Sequence, residues 1–266
     1  MEFQLPAGKL KLETQLRQAL ENGEFVLHYQ PKVDFASGQV IGAEALMRWN
    51  DPRTGLVPPS RFIPILEETG LIYEAGRWAL RTAVEDYLRW RAAGLAPVPI
   101  AVNVSPLQMR DQGFIAEIER AIGGDAHAAS GLELEITESL IMEDVKHGIA
   151  ILKRIRALGI RIAIDDFGTG FSSLSYLAKL PVDTLKIDRS FIMEMSDSPE
   201  SLSIVSTIVS LAHAMNLKVV AEGVETAEQS RLLRSIHCDE FQGFLFSRAV
   251  PRQTFETQFL KTFAAA

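Results

Sequence analysis

The sequence predicts an α/β protein folded as a closed (β/α)8 barrel, and three observations lead there. Short strand-like runs alternate with helical runs along the chain, which calls for a mostly parallel sheet. About eight such units fit into 266 residues, as a barrel requires. Polar and acidic residues recur at the C-terminal ends of the predicted strands, the face on which barrels build their sites. An open dinucleotide-binding sheet is excluded, because no Gly-x-Gly-x-x-Gly follows the first strand.

Leu10 to Leu20 has apolar residues at helical spacing and reads as an amphipathic lead-in helix. Phe25 to Val33 alternates as a strand interrupted by Pro31 near a bend. Gln30, beside that proline, either faces a ligand or stabilises the turn. Val40 to Trp49 is the second strand, with Gly42, Glu44, Leu46 and Arg48 on one face. On that face Glu44 suits a metal and Arg48 a phosphate, or the two form a buried ion pair. Asn50 to Pro59 is turn-rich loop; Ser60 to Glu68, capped by Ser60, and Leu71 to Ala93 are helices. Pro99 to Ser105 is strand-like and carries Asn103, which strands disfavour unless it has a partner or ligand. Gly113 to Ile122 reads as helix and Gly123 to Gly131 as loop. Leu132 to Thr137 alternates, so Glu133 and Glu135 share a face that must line something polar. Glu138 follows at the strand end, and Ser139 to Leu158 makes a helix that closes on Gly159.

The rest of the chain is organised around Ile162 to Ser173. An apolar strand there ends in Asp165-Asp166 and breaks into a glycine-containing loop. Two adjacent carboxylates cannot both stay ionised unless a cation shares them. An Asp-Phe-Gly turn accepting backbone hydrogen bonds would explain one such site; the other acidic strand ends shift the reading to a metal. Ser172 to Lys179 is a short helix. Thr184 to Asp188 is a strand with Lys186 and Asp188 on one side. Pro199 to Met215 is a helix, Lys218 to Gly223 a strand ending in Glu222, and Thr226 to Ser235 a helix. Asp239 to Phe246 carries a last short strand with Gln242, and Pro251 to Phe263 is the final helix.

With 47% hydrophobic residues, no internal repeat and no linker-like stretch, the chain reads as one domain with a substantial core. Its net charge of -7 argues against a nucleic-acid polymer as partner. The single cysteine, Cys238, excludes an internal disulfide and suits a buried hydrophobe. No apolar run approaches the ~18 residues of a membrane span, and no signal-peptide pattern opens the chain. A reducing cytoplasm suits such a sequence. The five histidines lack metal-ligand spacing, so zinc is disfavoured.

Carboxylates plus one Asn, without Cys or His, make a hard-oxygen site suited to Mg2+ or Mn2+. Asp165-Asp166 can bridge two ions, which two-metal phosphoesterases hold roughly 3.5–4 Å apart. Lys186 could hold the attacking water or help the leaving oxygen of a phosphate ester. It could equally be the base of a metal-assisted enolisation. Residue types and spacing leave both open.

Glu44-Ala45-Leu46 followed by Met47-Arg48-Trp49 resembles the signature of the EAL family, the cyclic di-GMP phosphodiesterases. The resemblance runs from about Leu10 to Phe263, through Tyr29-Gln30-Pro31, Asn103-Val104-Ser105, Glu135-Ile136-Thr137-Glu138 and Asp165 to Gly170. It continues in Lys186-Ile187-Asp188, Glu222-Gly223-Val224-Glu225 and Gln242-Gly243-Phe244. It implies a modified TIM (β/α)8 barrel whose first strand is antiparallel. It further implies hydrolysis of cyclic di-GMP to linear 5'-pGpG by attack of a metal-activated water. Glu44, Asn103, Glu135 and Asp165 would bind one metal, and Asp165 would bridge to a second held with Asp166 and Glu222. Lys186 would contact the attacking water, and Gln30, Leu46 and Arg48 the dinucleotide. Gln242 would lie at the substrate side of the site, while Glu138 braces the loop after Asp166, Glu225 gives support and Asp188 orients Lys186. The implied cofactors are two Mg2+ or Mn2+ ions, with Ca2+ inhibitory. The implied assembly is a homodimer formed through the helical region after the Asp166–Ser173 loop. Residues 1–266 would be a single catalytic domain, with 1–9 a flexible lead-in, excised from a larger bacterial protein and working in the cytoplasm. The alternative within the family is a catalytically weak domain serving as a cyclic di-GMP receptor.

Overall fold

The computed structural model describes residues 7–138, 140, 145–168 and 174–262. Eight strands close a barrel: β1 (Phe25–Asp34), β2 (Val40–Asp51), β3 (Ile100–Val104), β4 (Leu132–Thr137), β5 (Arg161–Phe167), β6 (Thr184–Ile187), β7 (Lys218–Ala221) and β8 (Glu240–Phe241). Strands β2 to β8 are parallel. β1 is antiparallel to both β2 and β8 and joins the two ends of the sheet. The local cause is the link between β1 and β2. Asp34 Oδ2 accepts from the Ser37 amide and hydroxyl at 2.7 and 2.6 Å, and Gly38 takes a left-handed φ of 68°. So tight a turn can only return the chain antiparallel, since a parallel return needs a crossover of a dozen or more residues.

Outside the barrel lie α1 (Ala7–Glu21), α2 (Pro59–Thr69), α3 (Ile72–Ala92), α4 (Pro106–Arg110), α5 (Phe114–Ile122), α6 (Ala126–Ser130), α7 (Val145–Ala157), α8 (Leu174–Leu177), α9 (Arg189–Glu194), α10 (Pro199–Ala214), α11 (Ala227–Ser235) and α12 (Arg252–Phe259). The main core fills the layer between strands and helices. Ile100 and Val102 of β3, Leu132, Leu134 and Ile136 of β4, and Ile162 and Ile164 of β5 face it at the period of two that strands impose. A second apolar cluster, with Leu16, Phe25, Trp49, Phe62 and Leu66, docks α1 and α2 beside the start of β1. The barrel interior is different in kind. Lys32, Glu133, Glu135 and Lys186 lie buried inside it, where apolar layers would be the usual filling.

Several boundaries differ from the sequence reading. Pro31 does not interrupt β1; it pairs with Ala43, and the register shifts one step later, between Lys32 and Val33. The expected loop of Asn50 to Pro59 contains a short strand, Gly55–Val57, that folds back on β2. α2 is entered through Pro58 and Pro59, so Ser60 lies inside it and is not its cap. Ser105 does not end a strand but caps α4, in a reciprocal box with Gln108. The expected loop after Gly123 includes α6, capped by Asp125. Asp188 ends no strand; it caps α9. β7 stops at Ala221 and β8 at Phe241, one residue before Glu222 and Gln242 respectively. The expected start of the helix from Ser139 and the loop 169–173 lie largely outside the described residues, as does Phe263. Among the described residues, no helix is long and apolar enough to cross a membrane.

Candidate metal centre and substrate cleft

Each strand brings its side chain to the barrel mouth through its register. Glu44 of β2 lies beside Ala101, two residues before Asn103 of β3, which in turn pairs with Glu135 of β4. Asp165 of β5 pairs with Thr137. In a regular strand Asp166 would point away from the interior. Here the ladder to β6 is irregular between Ile164 and Phe167, and Asp166 takes a left-handed φ of 53°. The kink turns both neighbouring carboxylates to one side. Asp165, Asp166 and Glu222 each offer an oxygen within 4.8 Å of the others.

Lys186 of β6 rises into the middle of this group. Its Nζ lies 2.6 Å from Glu135 Oε2, 2.9 Å from Asp165 Oδ1, 2.7 Å from Glu222 Oε1 and 3.9 Å from Glu44 Oε2. The contact with Asp165 Oδ1 is an ion pair without hydrogen-bond geometry, and that buried oxygen has no hydrogen-bonding partner among the described residues. Glu44 is braced on both oxygens: Oε1 accepts from Asn103 Nδ2 at 2.7 Å and Oε2 from Gln242 Nε2 at 2.5 Å. Gln242 also donates to Gln30 Oε1, and Gln30 donates to the Ser247 carbonyl.

Burial pushes the Glu44 carboxyl up to about 7, with the Glu135 charge adding to it and Lys186 opposing. Burial likewise takes Glu222 to about 8 against the pull of Lys186. Asp166 is raised by burial and then by Asp165. Glu135 goes the other way. Burial would raise it, but the Lys186 and Lys32 ammonium groups outweigh burial and hold it at about 2. Negative charge at the mouth is thus short of compensation, one buried oxygen lacks a donor, and every ligand atom is a hard oxygen. These residues fit a divalent cation of the Mg2+ or Ca2+ type.

Beside the carboxylates, Gln30, Leu46, Arg189, Gln242 and Phe244 line a cleft of about 210 Å³ with Glu44 and Glu222 at its base. Arg48, two residues beyond Leu46 on the same face of β2, is half-buried, is not among the residues lining that cleft, and donates to the Met47 carbonyl, with no ion pair to Glu44 among the described contacts. Glu138 Oε2 accepts from Gly168 N at 3.5 Å, at the start of the loop that follows Asp166. Glu225 pairs with Arg189 at 3.6 Å. Asp188 has a different task from the expected one. Its Oδ1 accepts from the Ser190 amide at 3.0 Å and caps α9, while among the described residues the ammonium of Lys186 is held by Glu135, Asp165 and Glu222.

Three features escaped the sequence reading. Arg189 and Phe244 follow recognised residues directly, but nothing in their spacing marked them as cleft-facing. Lys32, 3% exposed, was assigned no partner. The signal for it was available, since it shares the inward parity of Gln30 on β1 and lies opposite Gly42.

The sequence model of the EAL domain matches residues 13–249. The chain belongs to the EAL family. Among relatives of this EAL domain is the bifunctional diguanylate cyclase/cyclic di-GMP phosphodiesterase MucR of Pseudomonas aeruginosa, 46% identical over 245 residues, covering 92% of this chain and 36% of MucR. The cyclic di-GMP phosphodiesterase NbdA of the same organism is 43% identical over 96% of this chain and 32% of its own. The EAL domain therefore spans about a third of the length of these relatives. Among solved structures, a complex of the MucR phosphodiesterase with cyclic di-GMP superposes with a TM-score of 0.88 at 45% identity, covering 92% of this chain and 99% of that one. The EAL enzyme Bd1971, bound to cAMP and cyclic di-GMP, gives 0.86 at 38% identity, covering 95% and 69%. The expected modified barrel with a reversed first strand is the fold observed.

Proposed function

We propose that this EAL domain hydrolyses cyclic di-GMP to linear 5'-pGpG with Mg2+ or Mn2+ as cofactor. The observation that carries the reading is the all-oxygen cluster of buried Asp165 with the more exposed Asp166 and Glu222, the last of which also lines a cleft with Gln30 and Leu46. Relatives named for this activity, and a cyclic di-GMP complex of one of them, support it.

Glu44, Asn103, Glu135 and Asp165 would hold one ion, and Asp165, Asp166 and Glu222 a second. Bound there, such ions would supply polarisation of a phosphoryl oxygen and a water of lowered pKa. Lys186, drawn off its carboxylates, donates a hydrogen bond to the reacting water or to the leaving oxygen. Gln30, Leu46, Arg48 and Gln242 seat the dinucleotide. Glu138 steadies the loop through Gly168, Glu225 supports the rim through Arg189, and Asp188 fixes the α9 N-terminus next to Lys186. Ca2+, with longer and looser coordination, binds without supporting turnover.

The test is incubation of the purified chain with cyclic di-GMP in Mg2+, Mn2+, Ca2+ or chelator, followed by separation of products. Metal-dependent release of pGpG is expected, with neither Ca2+ nor chelator supporting it. Tight binding of the dinucleotide with no turnover in any metal would replace the enzyme by a receptor. We further propose a homodimer formed through the helices after the Asp166–Ser173 loop, where Tyr176, Met193 and Ile204 expose apolar side chains. Sedimentation at assay concentration checks it, and a fully active monomer would remove it. The proposed site of action is the bacterial cytoplasm, where a nucleotide second messenger is found.

A further inference from the structure

We infer that Lys32 is a positioning residue of this centre: from inside the barrel it holds Glu135 by Oε1, so that Oε2 faces the mouth and Lys186 is left free for the reacting groups. The inference rests on the phosphodiesterase reading and adds to it a residue that never meets the substrate.

Lys32 enters the interior from β1 opposite Gly42 of β2. The missing side chain there makes the passage. A Cβ on Gly42 would come to 3.3 Å from Lys32 Cδ and 3.4 Å from its Cβ, tighter than side chains ordinarily pack. The amine ends 2.6 Å from Glu133 Oε1 and 2.7 Å from Glu135 Oε1. These two glutamates are two steps apart on β4 and both turn inward, so one ammonium bridges them. The second oxygen of Glu135 meets Lys186 at 2.6 Å. Glu135 is therefore strung between two cations, one beneath it and one at the mouth.

The arrangement divides the labour. A carboxylate buried this deeply costs several kcal/mol unless a cation stays with it. If Lys186 were the only counter-charge, it could not leave Glu135 to serve a reacting oxygen. Lys32 is enclosed, fixed by two carboxylates and out of reach of the cleft, so its charge remains when Lys186 moves. Its bond to Oε1 also fixes the rotation of the Glu135 carboxylate about its own axis, which decides where Oε2 points. Partners of this kind, one step behind a metal ligand, are worth roughly 10–100-fold in metal affinity or rate.

The experiment measures Mn2+ binding by calorimetry on wild type, Lys32→Met and the double variant Lys32→Met/Glu133→Gln, beside melting in chelator and steady-state hydrolysis of cyclic di-GMP. The double variant removes one buried charge of each sign, which keeps the interior balanced and the chain folded if Lys32→Met alone is too unstable. Expected for the folded variants are Mn2+ binding weakened by about tenfold or more and kcat lowered by about 10–100-fold, with KM within about threefold of wild type. A merely structural role would lower the melting temperature and leave that split untouched. Wild-type Mn2+ affinity and kcat in the folded double variant would overturn the role of Lys32 alone. A wild-type protein that binds no Mn2+ would overturn the metal-centre reading and this inference with it.

Discussion

Lys186 has no solvent exposure and sits among Glu135, Asp165 and Glu222, so its removal acts on stability and on rate together. Lys186→Met leaves buried carboxylates without their cation, which typically costs about 3–5 kcal/mol. Melting in chelator should fall accordingly, and Mg2+ or Ca2+ should restore more stability to the variant than to wild type, because an ion replaces the lost charge. Turnover in Mg2+ should fall by about 10²–10⁴ even where the fold is restored. Equal metal-induced shifts in both proteins would deny the lysine its place among the carboxylates. Cys238 offers a contrasting case. Burial pushes its thiol up to about 12, and the side chain is 4% exposed. Thiolate is the reactive form, so a disulfide reagent at pH 8 should label this cysteine only after denaturant is added.

The β5 terminus shows an element departing from regularity to build a site. Asp166 holds a left-handed φ of 53°, a conformation that Asn tolerates and β-branched residues resist. Asp166→Asn should therefore melt close to wild type while weakening metal binding, whereas Asp166→Val should lose about 1–2 kcal/mol as well. A denaturant titration of both variants separates charge from conformation. The attachment of β1 to its helices is also testable. Tyr29 donates to Asp86 Oδ2 at 2.6 Å, and Arg252 of α12 approaches the same carboxylate. Burial, then the Asp86 charge, raises the Tyr29 hydroxyl well above its usual value. The folded form thus keeps its proton where the unfolded tyrosine ionises, near pH 10. The stability it contributes is complete below about pH 10 and is lost as pH rises further. Tyr29→Phe should cost roughly 1.5–3 kcal/mol at pH 7 and flatten that alkaline loss. Strand and helix order was legible in the sequence because a period of two or of 3.6 survives in each long element. What was not legible depends on partners. α9 and α4 are single turns defined by Asp188 and Ser105 as caps, and the course of β1 through Pro31 depends on which neighbour it pairs with. The mouth residues could be read because they end strands. For Lys32 the sequence carries only its inward parity on β1; its partners come from β4 about a hundred positions later, which no local pattern shows.

For the whole molecule, the proposed ligands are drawn from β2, β3, β4, β5 and the end of β7, so an ion at the mouth would tie most of the barrel's circumference together. Saturating Mg2+ or Ca2+ should raise the melting temperature, by the amount that binding to the folded state alone provides, about 2.7 kcal/mol at a hundredfold excess over Kd. Scanning calorimetry should show one cooperative transition moving upward with metal, and no metal dependence would contradict a site spread over so many strands. The reversed first strand has a consequence of another sort. β1 starts at the barrel mouth, since Phe25 pairs with Trp49 near the far end of β2. α1 therefore arrives at the rim, packed on α2 through Leu16 and Phe62. In a barrel whose first strand ran parallel, the same helix would reach the floor. Anything joined ahead of α1 in a longer chain would have its lever on the mouth side of the barrel: a twist or tug there is transmitted to the strand pair that carries Gln30, Leu46 and Arg48 without crossing the body of the barrel.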